Sequence, residues 1–260
     1  MKGFVKRWLG EPGGEPLDMP GASVGPGKRI YCIGDVHGRH DLLLTLHRMI
    51  ENDAAGFDGE LAVVYLGDLV DRGMDSREVV EELLLRPLPG FESIFLMGNH
   101  EQTMLDFLSH PEQAAGWLSW GGRQTLASYG VRLPLGMEKP DVVEIRDELL
   151  SRIPEDHVEF LRSMPFSHAS GDYLFVHAGI RPGVPLQEQS DSDLLWIRNE
   201  FLEDDREHGF VVVHGHTITD DVHVKHNRIG IDTGAYCTGV LTCMVLEGTD
   251  RRLLQTGDST

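Results

Sequence analysis

Three short polar strings, each directly after an apolar run, constrain this chain more than any other feature. They are GDVHG at 34–38, GDLVDRG at 67–73 and GNHE at 98–101. The preceding runs have the length and composition of β-strands. Because short crossovers favour parallel strands whose carboxyl ends share one edge, carboxylates, imidazoles and an amide are predicted to gather there. Oxygen and nitrogen donors grouped in this way are typical of a metal site.

The residues between the strings have helical periodicity. Asp41 is predicted to cap a first helix, and a second helix is predicted over Ser76–Leu85. The opening of the chain is therefore predicted to be a β-α-β-α-β unit. The residues expected to face inward are Leu42, Leu43, Leu46 and Ile50 in the first helix, and Val79, Val80, Leu83 and Leu84 in the second.

The rest of the chain divides by composition. Residues 1–28 are expected to form a flexible arm, because 11–28 are rich in glycine and proline, and residues 29–260 to form one domain. Residues 102–164 are expected to be a helical insert over one rim, with Trp117 and Trp120 packed against the core. We expect this insert to shape a wall of the substrate groove.

The later part of the chain is rich in short strand-like runs. Their close spacing predicts a second, largely antiparallel sheet. The expected strands are Tyr173–His177, Phe210–His214, Val222–Val224, Arg228–Ile231 and Leu241–Glu247.

The acidic composition limits the partners. The chain has 42 acidic and 23 basic side chains and a formal net charge of −19. Nucleic acids and anionic membrane surfaces are bound through basic patches, so we expect neither as a partner. Part of the acidity is expected to be metal ligands.

The cysteines and the apolar runs predict a cytoplasmic protein. Cys32, Cys237 and Cys243 fit neither a disulfide framework nor a CxxC metal site, so they are interpreted as reduced, mostly buried thiols. No apolar stretch of signal-peptide length follows the basic residues near the N-terminus, and no later run approaches membrane-spanning length.

The first two strings offer five candidate site residues. Asp35 and His37 lie two residues apart on a glycine-flanked turn, so they can face one ion together. A capping aspartate beside a surface histidine is the alternative. In the second string, Asp68 can ligate a metal at the strand end while the next turn presents Asp71 and Arg72. A surface aspartate–arginine pair is the alternative, but it is disfavoured because glycines bracket the string and because the string follows a strand, as GDVHG does.

Later strand ends add further donors. Asn99 can offer its carbonyl oxygen to a metal. The side chain of the adjacent His100 then points in another direction, where it can act as an acid or a base. The alternative is that both residues form a turn that caps the helix from residue 101. His177 and His216 each follow a strand beside a glycine. His214 shares the strand face of His216, but His216 is preferred because it lies beyond the strand.

Taken together, these strings resemble the phosphoprotein-phosphatase family of metallophosphoesterases, in particular its bacterial and bacteriophage-type serine/threonine phosphatases. GDVHG, GDLVDRG, GNHE, VHAG at 176–179 and GHT at 215–217 occur in that family's order. The resemblance implies an α/β fold in which a two-sheet β-sandwich is flanked by helices. It also implies a dinuclear metal centre that activates a water for attack on phosphorus.

The resemblance also implies a ligand set. Two divalent ions are expected, manganese first, with iron and zinc as alternatives, because oxygen and nitrogen donors without thiolate suit these metals. The implied ligands are Asp35 and His37 for one ion, Asn99, His177 and His216 for the other, and Asp68 for both.

The same resemblance implies the chemical roles. His100 would protonate the leaving group, with Asp71 orienting its ring, and Arg72 and Arg198 would bind the substrate phosphate. The motif around Arg198 is shorter than the motif around Arg72. The alternative for Arg198 is that it lies on an amphipathic helix and packs over Trp196. The expected substrate is a phosphoprotein or phosphopeptide.

Two other functions compete. Symmetrical dinucleoside-tetraphosphate hydrolases share GDVHG, an HAGI-type string and the IDTG segment at 231–234, but they typically have GNHD where this chain has Glu101. A catalytically inactive module that binds phospho-ligands would be expected to lack a ligand or His100, and none is missing.

Overall fold

The fold was analysed in a computed structural model, which describes residues 5–7, 21–133 and 141–257. Most of the predicted arm, including residues 8–20, lies outside the described residues. The strands are β1 (Val5–Arg7), β2 (Lys28–Ile33), β3 (Glu60–Tyr65), β4 (Glu92–Phe95), β5 (Ser167–Ser170), β6 (Tyr173–Val176), β7 (Val211–His214), β8 (His223–Val224), β9 (Arg228–Gly230), β10 (Thr242–Glu247) and β11 (Asp250–Gln255).

Helices connect and cover these strands. Short 3₁₀ turns occur at Ala115–Ser119 and Leu186–Glu188. The α-helices are α1 (His40–Ala54), α2 (Ser76–Leu85), α3 (Asn99–Ser109), α4 (Gly122–Ser128), α5 (Val142–Leu150), α6 (Glu155–Arg162), α7 (Asp191–Trp196), α8 (Asn199–Leu202) and α9 (Ala235–Thr238).

The strands form two sheets, which confirms the predicted two-layered α/β class. The six-stranded sheet has the order β1-β11-β10-β2-β3-β4, and the five-stranded sheet has the order β5-β6-β7-β9-β8. Strands β2, β3 and β4 are parallel neighbours, as are β6, β7 and β9. Both sheets therefore present the carboxyl ends of parallel strands.

The prediction of a largely antiparallel second sheet is wrong. Only its edge strands β5 and β8 pair antiparallel with their neighbours, while its centre is parallel. In addition, β10 belongs to the first sheet, where it pairs antiparallel with β2 and β11. Short strand spacing does not reveal the pairing of β10 with β2, because it joins segments about 200 residues apart in the chain.

Alternation along the strands builds the layers. In β2, Ile30 and Cys32 face the second sheet and form an apolar layer with Phe175 and Val213. The intervening residue Tyr31 belongs to the cluster under α1 and α2. A third cluster packs the outer face of the second sheet against α7 and α8. The helices thus flank a two-sheet sandwich, as the sequence predicts.

The two early helices match their predictions unequally. The second spans Ser76–Leu85 as predicted. The first begins at His40, and the predicted cap Asp41 lies in its first turn, where it is exposed and accepts two hydrogen bonds from Arg39. The Asp41 cap is therefore wrong, because the helix begins one residue before Asp41.

The described part of the predicted insert, 102–164, is helical and contains most of α3 together with α4, α5 and α6. Residues 134–140 of the insert lie outside the described part. Across the described residues, no helix is long and apolar enough to cross a membrane. Cys32 and Cys243 are buried as expected, while Cys237 is exposed.

Candidate metal centre

Five strand ends converge on one buried site. The polar strings follow β2, β3 and β4 of the first sheet, and His177 and His216 follow β6 and β7 of the second. Backbone bonds interlock the first two loops, since the N–H groups of Val36 and His37 donate to the Asp68 carbonyl at 3.1 and 2.8 Å. The site therefore lies where the carboxyl edges of the two sheets meet.

Asp68 is at the centre of this site. Its Oδ2 lies 3.4 Å from Nε2 of His37, and its Oδ1 lies 3.4 Å from Nε2 of His177. Burial alone would raise the pKa of Asp68, but the neighbouring His177, His100 and His37 outweigh it and the pKa lies well below its usual range. The carboxylate is thus ionised and faces both halves of the site.

In the first half, the hydrogen bonding of His37 identifies the free nitrogen. Nδ1 lies 2.9 Å from the Val70 carbonyl and donates to it, which leaves the lone pair on Nε2 facing Asp68. This Nε2 is buried and has no hydrogen-bond partner. An imidazole oriented by a carbonyl through one nitrogen, with a free lone pair on the other, is the usual form of a metal-ligating histidine.

The second half has the same character. His177 donates from Nδ1 to the Leu66 carbonyl at 2.9 Å, so its Nε2 lone pair is free and lies 2.8 Å from Oδ1 of Asn99. The same amide oxygen lies 2.8 Å from Nδ1 of His216. Donor atoms of three side chains therefore converge within this half.

The residues fit two cations. One group consists of His37, Asp68 and His100, and the other of Asp68, His177 and His216; within each, the ligand atoms lie within 4.8 Å of one another. Asp68 is common to both. The Nε2 atoms of His37 and His216 are buried without partners. A buried polar atom without a partner is costly, and a cation removes that cost.

Burial keeps these imidazoles neutral. It lowers the pKa of His37 to about 3 and that of His216 to about 2, and it lowers the pKa of His177 as well. Neutral imidazole is the form that binds metal. The three rings are therefore in the neutral form that can ligate a metal ion.

Asp35, the predicted partner of His37, lies against the second-sheet loop. Its Oδ2 and Oδ1 accept the backbone N–H of His216 at 3.0 and 3.2 Å. A side chain at Gly215 would place its Cβ 2.0 Å from Oδ1, so only glycine permits this approach. Burial and the charges of Asp232 and Asp68 raise the pKa of Asp35 well above its usual value. Its direct ligation of an ion stays a prediction.

His100 and Asp71 form a buried pair beside the centre. Nδ1 of His100 lies 2.6 Å from Oδ2 of Asp71, and Nε2 lies 3.8 Å from Oδ2 of Asp68. Burial alone would lower the pKa of His100, but the two carboxylates outweigh it and the pKa is raised. The ring is therefore within reach of the centre while its orientation is held by Asp71.

Two residues of the insert hold Asp71, and the sequence had not indicated either contact. Trp117 donates from Nε1 to Oδ2 at 2.8 Å, and Thr125 donates from its hydroxyl to Oδ1 at 2.6 Å. Trp117 is fully buried, as predicted, but Trp120 is 51% exposed, so its predicted packing on the core is wrong. Trp120 instead lies edge-on against Trp196, with ring centroids 5.8 Å apart.

The two predicted phosphate-binding arginines lie on different sides of the site. Arg72 is half-buried, with its guanidinium 4.9 Å from the Tyr236 ring and Nη2 3.1 Å from Nε2 of His100. Arg198 is exposed between α7 and α8, and its charge contributes to the low pKa of His216 after burial and His177. Both stay predicted phosphate ligands.

Glu101 clamps the central loop, a role that its motif alone did not reveal. Its Oε2 accepts the N–H groups of Asp68 and Gly98 at 2.8 and 3.0 Å. Its Oε1 accepts those of Leu69 and Val70 at 2.8 and 3.1 Å. Burial and the Asp68 charge raise the pKa of Glu101 to about 7. The available signal was its position three residues after the cap of α3, as in a capping box.

Backbone strain is concentrated at the site. In the described part of the chain, positive φ values at residues other than glycine are confined to His37, Asp68, Asp71, Arg72 and His216. Such conformations cost free energy and persist where surrounding contacts enforce them, which is typical of functional sites. Here the enforcing contacts include the Glu101 clamp.

Comparison with known proteins agrees with this geometry. Residues 28–238 match the calcineurin-like phosphoesterase family, and the chain belongs to that family. It is similar to serine/threonine-protein phosphatase 2 of Salmonella typhimurium, at 28% identity over 83% of this chain and 91% of the relative. It is also similar to the symmetrical bis(5'-nucleosyl)-tetraphosphatase of Acidovorax sp., at 29% identity over 61% of this chain.

The coverage of these relatives differs. The chain spans about half, 47%, of the Acidovorax tetraphosphatase. Among solved structures, the chain is similar to the cold-active protein-tyrosine phosphatase of a psychrophilic Shewanella species, with a TM-score of 0.52 and 20% sequence identity. The match covers 98% of this chain and 91% of the Shewanella chain, so the two proteins share a fold. The family assignment thus agrees with the site, where histidine and aspartate side chains that could hold metal ions lie close together.

Shortening the clamp should loosen the central loop. In Glu101→Asp the carboxylate is one methylene shorter and cannot reach both edges of the loop, so at least one bond from a buried N–H is lost. Such a bond to a charged group contributes about 1.5–3 kcal/mol. We expect the free energy of unfolding in urea, measured with EDTA, to fall by about that amount, with no change in the exposed control Glu112→Asp. Equal stability of the two variants would contradict the clamp.

The insert contact can be tested with a matched pair of tryptophans. Trp117→Phe keeps an aromatic ring in the core but removes a hydrogen bond to the Asp71 carboxylate, so the free energy of unfolding should fall by about 1.5–3 kcal/mol. Trp120→Phe changes an exposed ring, so its free energy of unfolding should differ from that of the parent by no more than about 0.5 kcal/mol. Urea denaturation with EDTA measures both, and an equal effect of the two would refute the contact.

Proposed function

We propose that the protein is a serine/threonine protein phosphatase with a dinuclear metal centre. The observation that carries this proposal is the buried His100–Asp71 pair, whose nitrogen and oxygen lie 2.6 Å apart next to the shared ligand Asp68. A serine or threonine alkoxide is a poor leaving group and needs a proton as the P–O bond breaks. A phosphoanhydride releases a more stable phosphate anion and depends less on a proton donor.

The pair is arranged for proton transfer. Because Asp71 accepts from Nδ1 of His100, it favours the protonated ring, and Nε2 then carries the proton that goes to the leaving oxygen. Nη2 of Arg72 donates to the same Nε2 at 3.1 Å, and a bound phosphate would replace this contact by accepting from the guanidinium. A phosphate bound by the planar guanidinium of Arg72 is therefore placed beside the proton donor. Arg198 would bind the phosphate from the opposite side.

The metal ligands are those predicted from the motifs. Asp35 and His37 would hold one ion, Asn99, His177 and His216 the other, with Asp68 shared. When bound, the two ions supply positive charge to the phosphoryl oxygens and lower the pKa of a water. Manganese is preferred because the donors are oxygen and nitrogen without thiolate.

A cleft beside the site suits a peptide chain. It has a volume of about 410 Å³ and is lined by Thr103, Asp106, Gln113, Trp120 and Trp196, among others. The Trp196 ring lies 6.2 Å from the His216 ring, so the cleft begins at the metal centre. Residues flanking a phosphoserine can lie along it. The carboxylate of Asp106 would repel a polyphosphate there.

The similarity to tetraphosphatases supports the second candidate, hydrolysis of a symmetrical dinucleoside tetraphosphate. Three points favour the protein substrate: the fuller coverage of the Salmonella phosphatase, the proton donor, and the net charge of −19, which disfavours a polyanionic substrate. An inactive phospho-ligand-binding module is disfavoured, because the predicted ligands and His100 are all present.

The proton donor provides the test. General acid catalysis contributes about 10²–10⁴-fold, so His100→Asn should reduce hydrolysis of a phosphoserine peptide by that factor. Hydrolysis of nitrophenyl phosphate should fall much less, because nitrophenolate leaves without a proton. His223→Asn, an exposed control, should match the parent on both substrates, with metal content measured for each protein.

Two results would contradict the proposal. If His100→Asn loses both activities by the same factor while keeping its metal, His100 is not the proton donor. If the manganese-loaded parent hydrolyses nitrophenyl phosphate but no phosphoserine or phosphothreonine peptide, the protein-phosphatase assignment is wrong.

A further inference from the structure

Asp232, two residues after β9, is a buried carboxylate to which the functions described above assign no role. Its side chain is 2% exposed. Oδ1 accepts the backbone N–H of Gly234 at 2.9 Å, while Oδ2 is buried and has no hydrogen-bond partner. The hydrogen bond to Gly234 therefore satisfies one oxygen of this carboxylate, while the other oxygen has no partner.

The topology brings Asp232 to the metal centre. Strand β9 is parallel to β7, with Gly230 opposite His214, and the N–H of Ile231 donates to the His214 carbonyl at 2.9 Å. On the other side, the backbone after β9 touches the loop after β2, since a Cβ at Gly34 would lie 2.9 Å from the Ile231 carbonyl oxygen. Asp232 thus follows a strand whose end lies between the loops that carry His37 and His216.

Asp232 lies among other buried carboxylates. Asp35 and Asp68 are acidic neighbours of Asp232, and the charge of Arg72 also acts on it. Three buried carboxylates therefore face a single half-buried guanidinium. Buried charges are tolerated when they are paired or when they coordinate a metal.

The unpartnered atoms point to the same conclusion. Oδ2 of Asp232 and Nε2 of His37 are both buried without hydrogen-bond partners. Buried polar atoms in folded proteins almost always have partners, so two at one site indicate a missing ligand. A divalent cation accepts a carboxylate oxygen and an imidazole nitrogen together.

We propose that Asp232 is an additional ligand of the metal centre, contributing Oδ2 to the ion held by Asp35 and His37. The proposal rests on the dinuclear centre of the proposed function. It gives the first half of the centre a second terminal carboxylate, while the half formed by His177 and His216 has none. The two ions would then differ in affinity, and loss of Asp232 would affect one of them.

The variant Asp232→Asn isolates this role. Asparagine keeps an oxygen to accept the Gly234 N–H but replaces the other carboxylate oxygen with an amide. Asp220→Asn, an exposed carboxylate in the same region, is the control. Asp232→Ser, which also keeps an oxygen for the turn, serves as a second variant if the first folds poorly.

Manganese binding to the full chain is measured by calorimetry and elemental analysis, and spin coupling between the ions by electron paramagnetic resonance. The parent and Asp220→Asn should bind two ions and show coupling. In Asp232→Asn one of the two affinities should fall by about 10- to 100-fold, a size typical of changes to metal-site carboxylates, and the coupling should disappear at limiting manganese.

The failures are distinguishable. If the parent binds two ions and both Asp232 variants bind them with affinities within twofold of the parent, Asp232 is not a ligand, although the dinuclear centre stands. If the parent itself binds fewer than two ions, the dinuclear centre of the proposed function is wrong, and the proposal for Asp232 is overturned with it.

Discussion

Asp68 carries a negative charge at a place that solvent hardly reaches, and the rest of the structure is arranged around that charge. Its oxygens face His37 on one side and His177 on the other at 3.4 Å each. A buried carboxylate is costly unless it is hydrogen-bonded, paired or bound to metal. The surrounding imidazoles hold its pKa low, and two cations would complete the compensation.

Holding Asp68 there requires a strained loop, and other parts of the fold maintain the strain. Four N–H groups of the loop and its neighbour donate to Glu101. The insert also contacts this loop, because Trp117 and Thr125 donate hydrogen bonds to the Asp71 carboxylate. The insert therefore contacts the His100–Asp71 pair through the Asp71 carboxylate, whereas the sequence predicts a role in substrate selection alone.

The sequence predicts those parts of the site whose information is local. Strings of polar residues at strand ends, read with the parallel topology, predict the two-sheet α/β class. They also predict the convergence of His37, Asp68, His100, His177 and His216, while the roles of these residues stay predictions. The contacts of Asp71 were not predictable, because Trp117 and Thr125 lie 46 and 54 residues further along the chain. For the same reason the position of β10 was missed, since its pairing with β2 is nonlocal.

Asp232 shows the remaining limit of sequence reasoning. A single aspartate before a glycine turn has an ordinary local explanation, and its Oδ1 does accept the N–H of Gly234. What sets it apart is a second oxygen without a partner and a neighbouring carboxylate, both consequences of tertiary packing.

The central claim is that this metal centre, with its proton donor, acts on phosphoserine or phosphothreonine in proteins. The most direct test is a side-by-side measurement of kcat/KM for the manganese-loaded enzyme with phosphoserine, phosphothreonine and phosphotyrosine peptides and with diadenosine tetraphosphate. The account predicts the highest value for a phosphoserine or phosphothreonine peptide. A higher value for the dinucleotide than for every peptide would contradict it.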